Sequence, residues 1–386
     1  MWIFLTEDEE AELMKNVREV NPFRLGFGLM RLPKNPDGSI DIPQVCGMAD
    51  RFIAAGGTYF DTAYVYDNGA SEAAFKAAVA DRYPRESYTL ATKLNAFMQC
   101  SDEASAKQQF YTSLERTGAG YFDFYLLHAL QRSNVHLYND YHLWDFVAEQ
   151  KAKGLIRHWG FSFHSDPELL EQLLQEHPDA EFVQLQINYA DWENPGVNAR
   201  RNLEICQAHG KPVVIMEPVK GGILANPIPA VREILDRADS GASYASWALR
   251  FAAGLDGILA VLSGMSDTAQ MEDNLKQMQP FRPLDEKEMQ IIAQAQKALD
   301  EAKDIPCTAC HYCTEGCPMN IPIPEIFTVY NRREGSPHFR TVREYTIVTQ
   351  DRGKLADCVK CGQCESVCPQ HLPIISLLEK CREMEV

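Results

Sequence analysis

The chain has 386 residues and an apolar fraction of 45%, room for two or three domains with full cores. Its net charge of −17 and pI near 5.1 argue against nucleic acid or an anionic membrane surface as partner. No apolar stretch approaches the ~20 residues of a membrane helix, and the opening MWIFL is too short for a signal core and runs straight into acidic TEDEE.

In chain order, residues 1–21 form an N-terminal extension whose TEDEEAELMKNVREV reads as an acidic helix. From 22 to 283, short apolar runs alternate with amphipathic stretches. Strands are expected at 24–30 (RLGFGLM), 58–63, 88–94, 122–129, 156–163, 181–188, 211–217 and 257–263. Helices are expected between them, for example at 43–56, 101–118 and 166–177. Eight such alternations have the size and rhythm of an α/β protein of the (β/α)8 TIM barrel type. A doubly wound sheet shares that rhythm, but no GxGxxG opens the first βα turn, so the barrel is preferred.

Residues 284–304 are charged, with apolar residues at helical spacing, and read as a bridging helix packed on the barrel. Residues 305–386 then form a small, mainly helical domain. Within it IPEIFTVYNRRE reads as helix and GSPHFR as loop.

That last domain carries two cysteine runs, Cys307, Cys310, Cys313, Cys317 with Pro318, and Cys358, Cys361, Cys364, Cys368 with Pro369. Both read C-x2-C-x2-C-x3-C-P, the spacing with which bacterial ferredoxins hold 4Fe-4S clusters. Each cysteine of the second run lies 51 residues after its counterpart, and CPMNIPI (317–323) is echoed by CPQHLPI (368–374). In that pattern the fourth cysteine ligates the other cluster. Cys307, Cys310, Cys313 and Cys368 would hold one cubane, and Cys358, Cys361, Cys364 and Cys317 the other. Zinc, which favours separated CxxC pairs, and disulfides, which suit secreted chains, are the weaker alternatives. Cys46, Cys100, Cys206 and Cys381 are scattered and read as ordinary buried or half-buried thiols. Exposed clusters need reducing surroundings, so the cytoplasm is the expected compartment.

In a barrel the site sits at the C-terminal strand ends. Asp61 and Tyr66 follow the second strand, Lys93 ends the third and His128 ends the fourth. A phenol is a weak acid near neutrality, and a neighbouring ammonium should lower its pKa. A carboxylate would fix the lysine, and a neutral imidazole can donate to a carbonyl oxygen. Together they could protonate that oxygen as hydride reaches the carbon. Singly, each has a plain role as turn cap, rim residue, solvated lysine or core histidine; their joint placement favours chemistry.

GFGLMRLP (26–33), YFDTAYVYDNGASE (59–72), LATKLN (90–95), YLLHAL (125–130), GFSFHS (160–165) and GMSDTAQMEDNL (264–275) resemble the aldo-keto reductases. The chain is similar to the branch that carries a C-terminal ferredoxin-type dicluster domain. The resemblance implies Tyr66 as general acid, Lys93 and Asp61 as its tuners, and His128 as the substrate-orienting donor. It also implies NADPH or NADH lying across the strand ends. Gly28 and Met30 would stand near the nicotinamide, Ser162 and Gln184 at its carboxamide, and Met216 beneath the ring. Lys220, Gly221 and Gly222 would line the pyrophosphate, with Gly264, Ser266, Gln270 and Asn274 at the adenosine end. The chain departs from the family where Phe163 and His164 replace an asparagine, and where Met216 replaces a stacking aromatic. Gly264 and Gln270 stand in place of the basic residues that grip a 2′-phosphate, and the N-terminal helix replaces a hairpin.

Hydride carries two electrons and a cubane one, so a flavin is a further candidate cofactor. Three functions stay open. The first is an oxidoreductase acting on a small carbonyl or alcohol, whose clusters exchange electrons with a soluble electron-transfer protein. The second is a plain carbonyl reductase with structural or oxygen-sensing clusters. The third is an electron-carrier or docking protein with a non-catalytic barrel. The loop 131–142, with His136, Tyr138 and Tyr141, is expected over the barrel mouth, its aromatics read as surface residues.

Overall fold

A computed structural model describes residues 23–302, 304–305, 307, 311–333, 337–368 and 371–385. The expected acidic helix at 1–21 and the ligand Cys310 lie outside the described residues. Eight strands form: β1 Leu25–Gly28, β2 Tyr59–Asp61, β3 Thr89–Leu94, β4 Phe122–Leu130, β5 Ile156–Phe163, β6 Phe182–Gln186, β7 Val213–Met216 and β8 Ile258–Ser263. They pair in parallel in chain order, and β8 closes on β1 with Leu25 opposite Val261. The strands read as nearly unbroken apolar runs because a closed parallel sheet is buried on both faces. Tyr59, Ala91, Phe124, Leu126, Phe182, Val214, Leu259, Ala260 and Leu262 pack together as one buried cluster. At Gly160, opposite Phe182, a Cβ would lie 2.1 Å from the Phe182 carbonyl oxygen, so β5 approaches β6 only without a side chain.

The expected helices form at Ile42–Ala54, Glu103–Thr117 and Pro167–Glu176. Each starts at an aspartate, Asp41, Asp102 or Asp166, whose carboxylate accepts a backbone N–H three residues on. That caps donors the helix cannot satisfy itself.

The chain divides into two compact units, Met1–Ala225 with Gly241–Met289, and Asn226–Ser240 with Gln290–Val386. The helix Glu286–Glu301 forms where the charged segment was expected. Within the first unit, Glu288 in its first turn accepts from Arg250 and from Arg282, each at 2.6 Å.

Among its described residues, 290–386 are helical and strand-free. Ile305, Ile321, Ile326, Phe327, Tyr330, Leu355, Ile374 and Leu378 anchor the core. One expectation fails there: of GSPHFR, the residues His338, Phe339 and Arg340 begin the helix His338–Val348. Pro337 precedes that helix, where its missing N–H costs nothing.

The 51-residue repeat is also written in the backbone. Short helices Tyr312–Glu315 and Gln363–Ser366 each follow a left-handed residue, His311 and Gly362. Asn320 and His371 both have φ of 51°. Their N–H groups donate to the carbonyls of Cys317 and Cys368, both at 3.0 Å. Among the described residues no helix is long and apolar enough to cross a membrane.

Candidate functional site

Lys93 is fully buried on β3 and donates to Asp61 Oδ1 and Oδ2, both at 2.7 Å, and to the Thr62 carbonyl at 2.6 Å. An ammonium has three N–H groups, so these bonds account for all of them. Burial pushes the Asp61 carboxyl up and the Lys93 ammonium down, and each is opposed by the other's charge. Tyr66 stands beside this pair, with Lys93 Nζ 5.1 Å from its ring centroid. The His128 ring meets Tyr66 edge-on at 5.7 Å between centroids.

The expected lowering of the Tyr66 phenol does not occur. Its pKa is raised well above the usual value, first by burial, then by the charges of Asp61 and Glu217, with Arg31 opposing. The lysine's charge is answered by Asp61 and has little left for the phenol. His128 is held well below its ordinary value by burial, by Lys93 and by His164, so its imidazole is neutral, as expected.

The turn that carries Tyr66 is built from left-handed residues, Asp67 at φ 51°, Asn68 at 55° and Gly69 at 91°. Asp and Asn tolerate that region, and Gly69 at φ 91° is the position that favours glycine most. A Cβ there would also sit 2.5 Å from the Arg116 guanidinium. Arg116 in turn donates to the Tyr64 carbonyl at 3.2 Å and reaches the buried Glu72, which accepts from Thr92, the neighbour of Lys93.

The residues expected around a nicotinamide fall on neighbouring strand ends. Ser162 Oγ accepts the Ala129 N–H at 2.7 Å and keeps its own hydrogen to donate. Gln184 Nε2 leans on Met216 Sδ at 3.5 Å, while its Oε1 is buried without a hydrogen-bond partner. Met30 is exposed, and Gly28 ends β1. Gly221 and Gly222 are left-handed. Lys220 is held in an ion pair by the buried Asp191, which Gln186, Asn188 and Asn194 also bond. Gly264 lies under Arg31, whose Cδ would be 3.3 Å from a Cβ there. Gln270 accepts the Ser266 N–H and donates to Asp267, and Asn274 donates to Ser263 Oγ at 2.8 Å.

In the second unit Cys317, Cys358, Cys361 and Cys364 line one small cavity walled by Ile321, Ile323 and Leu378. Of the other set, Cys313 is buried, while Cys307 and Cys368 are partly buried and pack against the same core. All described cysteines are free thiols, against the disulfide alternative. Among the described residues no three His, Cys, Asp or Glu side chains converge on a single-ion site.

The model of the aldo/keto reductase family matches residues 24–297. The chain belongs to that family. The 4Fe-4S dicluster domain matches residues 306–372. This aldo/keto reductase, an oxidoreductase by its family, is therefore a barrel followed by an iron–sulfur domain. The holo aldo-keto reductase of Bacillus halodurans superposes with a TM-score of 0.56 at 24% identity, over 70% of this chain and 91% of that one. The aldo/keto reductase of Klebsiella pneumoniae in complex with NADP and acetate gives 0.57 at 21%, over 71% and 90%. Likeness at these identities concerns the fold. A stretch of 69 residues is 30% identical to a subunit of the ion-translocating oxidoreductase complex of Buchnera aphidicola, spanning 18% of this chain and 12% of that protein.

The reductase's mouth also holds two residues that reading the sequence missed. Arg31 and Glu217 form a 3.2 Å ion pair, and both charges act on Tyr66. Each stands next to a residue that was singled out, Met30 and Met216, and only the folded chain brings them together. The expectation for the loop 131–142 also needs revision. Tyr138 is fully buried, and Tyr141 donates to the Ser101 carbonyl at 3.3 Å.

Proposed function

We propose that the barrel is a nicotinamide-dependent carbonyl reductase with Tyr66 as proton donor, and that the second unit holds two 4Fe-4S clusters exchanging electrons with a soluble redox partner. When bound, the nicotinamide supplies hydride and the clusters carry single electrons. The raised Tyr66 phenol stays protonated and has a proton to give to a carbonyl oxygen. Neutral His128 can offer a ring N–H to the same oxygen and hold it in place. As the phenol gives up its proton, the positive charges beside it are Arg31 and the Lys93 ammonium, the latter fixed by Asp61.

The residues present fit both groups. The unpartnered, buried Gln184 Oε1 suits a carboxamide N–H, and the Ser162 hydroxyl suits its oxygen. Four thiols lining one largely apolar cavity suit a cubane better than a single ion. The observation that carries the reading is the meeting of phenol, imidazole and buried Lys93–Asp61 pair at the ends of β2, β3 and β4.

The test is anaerobic purification of the full chain, analysis for iron, sulfide, flavin and nicotinamide, and reduction of 4-nitrobenzaldehyde with NADH and NADPH. Tyr66→Phe is expected to cost on the order of 10²–10⁴-fold in turnover. Undiminished turnover in that variant overturns the proton-donor role.

A further inference from the structure

The end of β4 departs from a regular ladder. Leu127 pairs with Phe161 and Leu130 with Phe163, so His128 and Ala129 together face the single residue Ser162. This two-against-one count is a β-bulge, a device that bends a strand and leaves its polar groups to find new partners. Ala129 adopts a left-handed φ of 58° to make it, without being glycine. Three side chains take up the freed backbone groups. Ser162 Oγ accepts the Ala129 N–H at 2.7 Å, Asn134 Nδ2 donates to the Ala129 carbonyl at 3.0 Å, and the Tyr138 hydroxyl donates to the His128 carbonyl. Asn134 is fixed in turn by the Gln131 N–H, which donates to its Oδ1 at 2.9 Å. Tyr138 lies on the short helix Val135–Asp140 and is fully buried.

We propose that Tyr138 is a positioning residue: by holding the His128 carbonyl it sets where the imidazole stands over Tyr66. The inference rests on the reading of His128 as the substrate-orienting donor. The physical argument is the lever arm. The His128 side chain leaves the backbone at the atom flanked by the captured carbonyl, next to a peptide in a conformation that non-glycine residues rarely adopt. Released from Tyr138, the bulge can relax, the ring swings away from the 5.7 Å meeting with Tyr66, and a donor misplaced by about 1 Å costs on the order of a hundredfold. Ser162, expected at the carboxamide, grips the same bulge from the other side, so cofactor and substrate donors are referred to one piece of backbone.

The test is a double-mutant cycle in the anaerobically purified full chain, using 4-nitrobenzaldehyde and NADPH. Tyr138→Phe keeps the ring, and hence the packing, and removes only the hydroxyl. It is expected to lower kcat roughly ten- to a hundredfold with the nicotinamide Kd unchanged, and less than about twofold in a His128→Gln background. Equal losses in both backgrounds mean Tyr138 acts through general structure, and overturn the proposal. Independently of turnover, the His128 ring-proton NMR signal, assigned by its loss in His128→Gln, should move in Tyr138→Phe; an unmoved signal overturns it as well. A Tyr66→Phe variant that keeps full turnover would instead sink the proton-donor reading, leaving the NMR shift to judge Tyr138.

Discussion

A phenol held above its ordinary pKa is an acid that stays loaded across the physiological range, and this fixes the sign of the pH dependence. Tyr66 is raised, so its proton is present below the raised value and lost only as pH climbs through it. His128 is lowered, so it charges only as pH falls well below the usual imidazole range. Carbonyl reduction should therefore run level over roughly pH 6 to 9, falling only as pH drops well below the usual imidazole range or climbs beyond the ordinary phenol value of about 10. Alcohol oxidation, which needs the phenolate as base, should rise towards high pH. A reduction rate that changes tenfold across neutrality would contradict these assignments. The Lys93–Asp61 pair makes a separate prediction. Lys93→Met or Asp61→Asn alone leaves a buried charge or its bonds unanswered, and should destabilise the barrel by about 3–5 kcal/mol. The double variant should be less damaged than Lys93→Met, read from the thermal midpoint of the barrel's near-ultraviolet circular dichroism.

At the scale of elements, the strands and most helices were legible because their signals are local. Buried parallel strands have to be apolar runs, and Asp41, Asp102 and Asp166 announce helix starts by a carboxylate that can reach back to the third N–H. The meeting of Asp61, Tyr66, Lys93 and His128 was legible as well, since strand ends in a barrel converge. What stayed hidden depends on pairs far apart in the chain. The Arg31–Glu217 contact spans 186 positions, and the bulge at Ala129 exists only against β5. Tyr138 looked like a surface aromatic because nothing local shows that a strand carbonyl needs a donor.

Two element-level outcomes follow from contacts at the strand ends. Gly160→Ala should cost at least about 1–3 kcal/mol, because its methyl group would meet backbone that the barrel's closure holds in place. A barrel melting unchanged would contradict the close approach of β5 and β6. At the start of the helix Thr268–Met278, Asp267 caps the turn and bonds Gln270, so if the adenosine end lies there, as the family resemblance implies, a carboxylate stands where a 2′-phosphate would need a cation. NADH should therefore be preferred, and Gln270→Lys should shift the ratio of kcat/KM values towards NADPH by about tenfold or less, the worth of one exposed charge pair.

For the whole molecule, the repeat of 51 residues raises the question of which thiols act together. Cysteines of one run are close in sequence, and a simple reading would give each run its own cluster. The cavity groups them differently, with Cys317 of the first run beside Cys358, Cys361 and Cys364 of the second. Crossed ligation of this kind would tie the two halves of the repeat together through metal, and the cysteines Cys313 and Cys364 already lie in the shared core. Iron content of single and double variants separates the two arrangements. Under crossed ligation, Cys317→Ser and Cys358→Ser each cost the same cubane, and the two combined should lose no more iron than either alone. Cys317→Ser combined with Cys307→Ser should lose both. If each run instead held its own cluster, the outcomes would exchange, with the Cys317 and Cys307 pair costing one cubane and the Cys317 and Cys358 pair costing both. The two patterns differ by a whole cluster per protein, a gap that iron and sulfide analysis resolves even when loading is incomplete.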